Sequence, residues 1–145
     1  HTRRIYVHDT LDPDISPWLE GRFHFTLAHE IGHWILHREV IHCSIEQLPL
    51  FEEAPVPPII CRRSDKALRI EVQANKFASY LLMPKSLMLA AWCELVERQS
   101  PQTPDTTRSA IRILGRRFQT SYQATRIRAE ELGLLVPAVA QDLGI

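Results

Sequence analysis

The sequence predicts a mostly helical α+β fold, and three observations carry that expectation. Apolar residues recur at spacings of three and four along several stretches, which is the signature of amphipathic helices. Only three short runs, Ile5-Tyr6-Val7, Val40–Ile45 and Ile59-Ile60-Cys61, read as strands, which is enough for a small sheet and no more. The 145 residues suit one ordinary domain or a domain with a short appendage, at a globular 45% hydrophobic and 23% charged content.

The first helix is expected from Arg22 to about His37, after the turn-rich Asp9–Asp14, Pro17 and Gly21. Phe23, Leu27, Ile31, Trp34 and Ile35 form its apolar side. A proline-punctuated loop with Pro49, Pro55, Pro57 and Pro58 follows, between the second and third strand candidates. The next helix starts at Ser64 or Asp65, either of which can cap it, and ends before Pro84. Pro84 opens a third helix to about Arg98, since proline is tolerated in a first turn. Ser100–Asp105 reads as a linker. Beyond it come two short helices, Thr107–Phe118 and Ser121–Leu132, closed by Gly133 as the residue after the cap. The expected division is therefore a first unit over 1–98 and a helical segment over 106–145.

Lys+Arg and Asp+Glu both number 17, so the net charge is zero and a polybasic binder of nucleic acid or membrane is disfavoured. No apolar run reaches the ~18–20 residues that a membrane span needs. Cys43, Cys61 and Cys93 are odd in number and form no C-x-x-C, so a reducing cytoplasm is expected. The chain opens on His1 rather than Met, which leads us to expect a longer natural protein.

His29-Glu30-Ile31-Gly32-His33 is an H-E-x-x-H match. On a helix, residues four apart share a face, so both imidazoles can reach one ion, and two neutral imidazoles suit Zn²⁺. Glu30 lies roughly 100° around the helix from His29, so it reaches a water beside the ion rather than the ion itself, the place of a general base. His37 continues the stripe but sits ~12 Å of helix rise from His29, too far to share the ion, and is read as a histidine near the last helical carbonyls. His1, His8, His24 and His42 are read as surface or satisfied histidines.

A catalytic zinc takes a third protein ligand. Glu71, Ala74, Asn75 and Ala78 share one face of the second helix, and that face is small apart from Glu71, so two helix backbones could approach there. Glu71 is thus a candidate ligand. Glu46, Glu52, Glu53 and Asp65 remain alternatives.

Arg22–His33, then Glu71-Val72-Gln73-Ala74-Asn75-Lys76-Phe77-Ala78 and Leu81-Leu82-Met83-Pro84, resemble the ImmA/IrrE family of zincin-like metallopeptidases in order and separation. The resemblance covers roughly Ile5 to Pro84. It departs mildly at Phe23-His24-Phe25-Thr26, where an aromatic–histidine step is added. It implies one Zn²⁺ held by His29, His33 and Glu71, with Glu30 as base and acid. It implies a helical zincin-like core with a small β-sheet beside the motif helix. It also implies a bacterial or mobile-element cytoplasmic endopeptidase whose substrate is a helix-turn-helix repressor, relieving repression of mobile-element or stress-response genes.

Asn75, one turn after Glu71, is expected to orient that carboxylate. Tyr80, His24, His42 and Arg22 are the candidates for an oxyanion donor. The segment Thr107–Leu132 is locally basic through Arg108, Arg112, Arg116, Arg117, Arg126 and Arg128, and its turn resembles a helix-turn-helix. Arg126 and Arg128 are the candidate DNA contacts. Two alternatives to proteolysis therefore stand: a non-catalytic sensor that keeps the zinc site and binds a repressor, and a DNA-binding regulator.

Overall fold

The computed structural model describes residues 4–38, 65–99 and 103–135. Five helices carry the described chain: α1 (Glu20–Leu36), α2 (Asp65–Leu82), α3 (Lys85–Gln99), α4 (Pro104–Arg117) and α5 (Tyr122–Glu131). Two single-turn 3-10 segments, Asp9–Leu11 and Pro17–Leu19, lead into α1.

The expected small β-sheet is corrected: among the described residues the fold is all helical, with no strand. Ile5-Tyr6-Val7 is irregular chain, with Tyr6 84% exposed. β-Propensity reflects how a side chain packs on a pleated surface, and no described strand offers one. Val40–Ile45, Ile59–Cys61, the proline-rich loop and the rival carboxylates Glu46, Glu52 and Glu53 lie outside the described residues, as do Cys43, Cys61 and His42. Among the described residues no sheet stands beside the motif helix, against the expected helical core with a small β-sheet there.

The predicted linker also shortens. Thr103 caps α4 with Pro104 in its first turn, and a reciprocal pair holds the cap: Thr106 N–H donates to Thr103 Oγ1 at 3.3 Å, and Thr103 N–H to Thr106 Oγ1 at 3.0 Å. Helix α4 thus starts three residues before Thr107.

α1 and α2 form the principal helix pair. Small residues make their close approach possible: Ala28, Gly32, Ala74 and Ala78 are all buried. A Cβ on Gly32 would lie 3.0–3.2 Å from three side-chain atoms of Phe77, so the backbone of α1 is as near to α2 as that ring allows.

A second core gathers Met83, Met88, Ala91, Leu114 and Ala129, drawing on both sides of residues 99–105. The α4–α5 turn joins this core to α1 and to the end of α2, where the Thr120 hydroxyl lies 3.6 Å from Met83 Sδ. The α4–α5 connection places Gln119 at a positive φ of 50°, so that Thr120 N–H reaches back to Gly115 O at 2.8 Å. The Gln119 carbonyl faces His24 Nδ1 of α1 at 3.2 Å, and the Thr120 hydroxyl faces Thr125 Oγ1 at 2.8 Å. Gly133 (φ 66°) closes α5 as expected, with Leu134 N–H bonded to Ala129 O at 2.9 Å. Among the described residues no helix is long and apolar enough to cross a membrane.

Candidate metal centre

Two helices bring three ligand side chains together. His29 and His33 stand one turn apart on α1, and Glu71 faces them from α2 across the small-residue contact. His29 Nε2 lies 3.2 Å from Glu71 Oε2 and His33 Nε2 lies 3.3 Å from Glu71 Oε1. The two Nε2 atoms are 2.9 Å apart. The histidines are mostly covered, with 17% and 16% of their side chains exposed, whereas Glu71 is half-exposed at 50%. The group is therefore reachable from solvent on the carboxylate side.

These separations fit one small cation. A tetrahedral ion with bonds of 2.0–2.1 Å spaces its ligand atoms about 3.3 Å apart. The two imidazole nitrogens, 2.9 Å apart, lie just under that value, and each meets a different oxygen of Glu71, at 3.2 and 3.3 Å. Two imidazole nitrogens and a carboxylate are also the donor types that suit zinc. His29, His33 and Glu71 form the one cluster of this kind among the described residues.

The outer nitrogens of both histidines are engaged too. His29 Nδ1 lies 2.9 Å from Asn75 Oδ1. With Asn75 Oδ1 accepting, the ring carries its hydrogen on Nδ1 and leaves Nε2 a lone pair for a ligand bond. Asn75 was expected to steady Glu71; the structure gives it His29 instead, because the packing of α1 on α2 sets its amide against the ring. His33 Nδ1 faces His37 Nδ1 at 3.2 Å, and His37 Nε2 faces Gln73 Oε1 at 2.9 Å. His37 is 3% exposed. It therefore packs under His33 rather than over the last carbonyls of α1, although its own backbone N–H does close the helix on His33 O at 2.9 Å. Sequence reasoning missed this arm. The signal was present as the unbroken H-x-x-x-H-x-x-x-H stripe 29, 33, 37.

Glu30 sits partly buried on α1, and its carboxylate has no hydrogen bond or ion pair with the described residues. It is thus available as a base. Beside the centre runs a cleft of about 720 Å³, walled by Arg22, Phe25 and Thr26 of α1, Val72, Asn75 and Lys76 of α2, and Ala124 and Ile127 of α5. Asn75 is the residue that this cleft and the metal centre share: it lines the cleft and holds His29.

The structure does not bring Tyr80 to this place. It lies ~13 Å of helix rise beyond Glu71, with the guanidinium of Arg128 stacked 4.4 Å over its ring. Arg128 itself is only 6% exposed; its Nε donates to the Met83 carbonyl at 3.2 Å and its Nη1 to Glu131 Oε2 at 3.0 Å. It ties α5 to the end of α2 and presents no free guanidinium to DNA. Arg126 is mostly covered, with its Nε 3.5 Å from Glu130 Oε1. That approach is within ion-pair reach but not aligned as a hydrogen bond, so the oxygen keeps no hydrogen-bond partner. The exposed arginines are elsewhere. Arg22, Arg112 and Arg116 border a second concavity of about 720 Å³ with Trp18 and Tyr122.

No family profile, curated protein or solved structure matches the chain.

Proposed function

We propose that this chain is a zinc-dependent endopeptidase of the ImmA/IrrE type, working in the cytoplasm on a helix-turn-helix repressor. The observation that carries the reading is the convergence of His29, His33 and Glu71, whose nitrogens and carboxylate oxygens meet within 3.3 Å, on a helix where Glu30 directly follows His29 in an H-E-x-x-H run. His29, His33 and Glu71 would hold the ion. Zinc there supplies Lewis acidity, making a water more acidic and a peptide carbonyl more electrophilic.

The chain's own residues do the rest. Glu30, with no competing partner among the described residues, takes the proton of the attacking water and later hands it to the departing amide nitrogen. Asn75 holds His29 with its Nε2 lone pair toward the ion. The cleft past Phe25, Val72 and Ile127 offers an apolar bed for the residues flanking a scissile bond, with Arg22 and Lys76 on its wall.

The test is direct. The zinc-loaded protein is incubated with the repressor encoded next to it, and mass spectrometry looks for one discrete pair of fragments. Glu30→Gln should retain the metal and yield none. Full cleavage by that variant removes Glu30 from the base role. Zinc retention without cleavage by the wild type would favour a sensor that binds the repressor.

One observation favours a nucleic-acid reading: Arg22, Arg112 and Arg116 gather at one concavity beside the start of α5. A salt-dependent shift of duplex DNA that Arg112→Glu abolishes would support it, and no shift at low salt would end it.

A further inference from the structure

We infer that His37 and Gln73 form a relay that sets which ring nitrogen of His33 carries hydrogen, with the Gln73 amide giving the relay its direction. The inference rests on the metal-site reading above and deepens it. His37 is a buried titratable side chain that the proposed chemistry leaves unused, and burial at 3% exposure leaves water little access to its ring.

A neutral imidazole has one N–H and one lone pair. The two Nδ1 atoms of His33 and His37 face each other at 3.2 Å, so one must donate and the other accept. The choice is made at the far end. Gln73 presents Oε1 to His37 Nε2 at 2.9 Å, which requires His37 to donate from Nε2 and accept at Nδ1. His33 must then donate from Nδ1, and its Nε2 turns a lone pair toward His29 and Glu71. Turned over, the Gln73 amide would donate instead, and every bond in the row would reverse. His33 Nε2 would then carry hydrogen pointing at Glu71 Oε1, 3.3 Å away, and could not bind an ion.

Both settings keep both rings neutral, so the difference is the position of a hydrogen and not a charge. A glutamine is the side chain that permits either. Asn75 does the same service for His29 in a single bond; His33 receives it through an intermediate ring. His37 and Gln73 are therefore positioning residues, acting on the ion through His33.

The experiment measures zinc affinity of the folded protein by competition with a chromophoric chelator, alongside thermal unfolding of the metal-free forms. Gln73→Glu, which can only accept, should hold zinc at least as tightly as the wild type. Gln73→Leu should weaken it, and His37→Phe should weaken it by about 10–100-fold, the usual loss for a group that supports a ligand. In ¹⁵N spectra of the zinc-loaded wild type, His33 should carry its hydrogen on Nδ1. Equal zinc affinity for wild type and Gln73→Leu overturns the relay while leaving the metal site standing. Gln73→Glu weakening binding as much as Gln73→Leu overturns its direction. A wild type that binds no zinc removes the metal site and the relay together. Gln73 is exposed, so its variants keep the test open if His37→Phe does not fold.

Discussion

Gly32→Ala connects helix packing to the metal centre in one methyl group. The added carbon would sit 3.0 Å from Phe77 Cδ1 and 3.2 Å from Phe77 Cβ and Cγ. Ordinary contact begins near 3.5 Å, so a few tenths of an ångström must be found. Cγ and Cδ1 can move with the ring, but Cβ is fixed to the backbone of α2, so the helices themselves must part. Overpacking of this size costs about 1–3 kcal/mol. Alanine in place of glycine inside a helix returns about 0.5–1 kcal/mol. We expect a net loss of about 1 kcal/mol, roughly 2–6 °C in Tm for a chain of this length. The same parting separates His33 from Glu71, so zinc affinity should fall with stability. Thermal unfolding and chelator competition on the same sample read both. A variant that is more stable, with unchanged zinc affinity, would refute the claim that the α1–α2 approach is at its steric limit and positions the ligands.

Further outcomes follow from other contacts. Gly21→Ala would place a carbon 2.6 Å from the Thr120 carbonyl carbon and 2.7 Å from Ser121 N, both backbone atoms; it should cost about 3 kcal/mol, read by denaturant unfolding, and detach α1 from the α4–α5 turn. Arg128→Ala removes the bond to the Met83 carbonyl and the stack on Tyr80; the loss should be about 2–3 kcal/mol in denaturant unfolding, with no change in any DNA affinity. Arg117, 2.6 Å from Glu94, holds the Glu94 carboxyl below the usual carboxylate range through its hydrogen bond and charge. A lowered folded value means the pair's stabilisation is present above the ordinary value of about 4.3 and fades as pH falls through the folded one. The stability difference between wild type and Glu94→Gln should therefore be flat from pH 5 to 8, shrink below about pH 4, and be small and salt-sensitive, because the pair is exposed.

Much of the helical framework could be read from spacing. The apolar periodicity of α1, the Pro84 stop after α2 and the Gly133 terminus are local signals, and each reports a local event. The ligand candidates were legible for the same reason, since H-E-x-x-H is a pattern within one helix turn. Glu71 needed the small face of Ala74 and Ala78, which says that something packs closely but not what. The destinations of polar side chains were not legible. Asn75 holds His29, His37 lies under His33, and Arg128 turns inward to the Met83 carbonyl; each outcome depends on a second helix whose placement no single segment encodes. Tyr80 shares a helix with Glu71, but distance along that helix removes it from the site. Thr103-Pro104 is a local signal too, a cap followed by a first-turn proline inside a stretch whose composition reads as a linker. Ile5-Tyr6-Val7 shows the converse, a β-type composition without a neighbouring strand to pair with among the described residues.

X-ray absorption at the zinc edge, on protein loaded with one equivalent, tests most directly whether His29, His33 and Glu71 form the metal centre. The account predicts two imidazole nitrogens and a carboxylate oxygen at 2.0–2.2 Å, with the tight binding lost in Glu71→Ala. A sulfur shell near 2.3 Å, or an unchanged spectrum and affinity in Glu71→Ala, would contradict it.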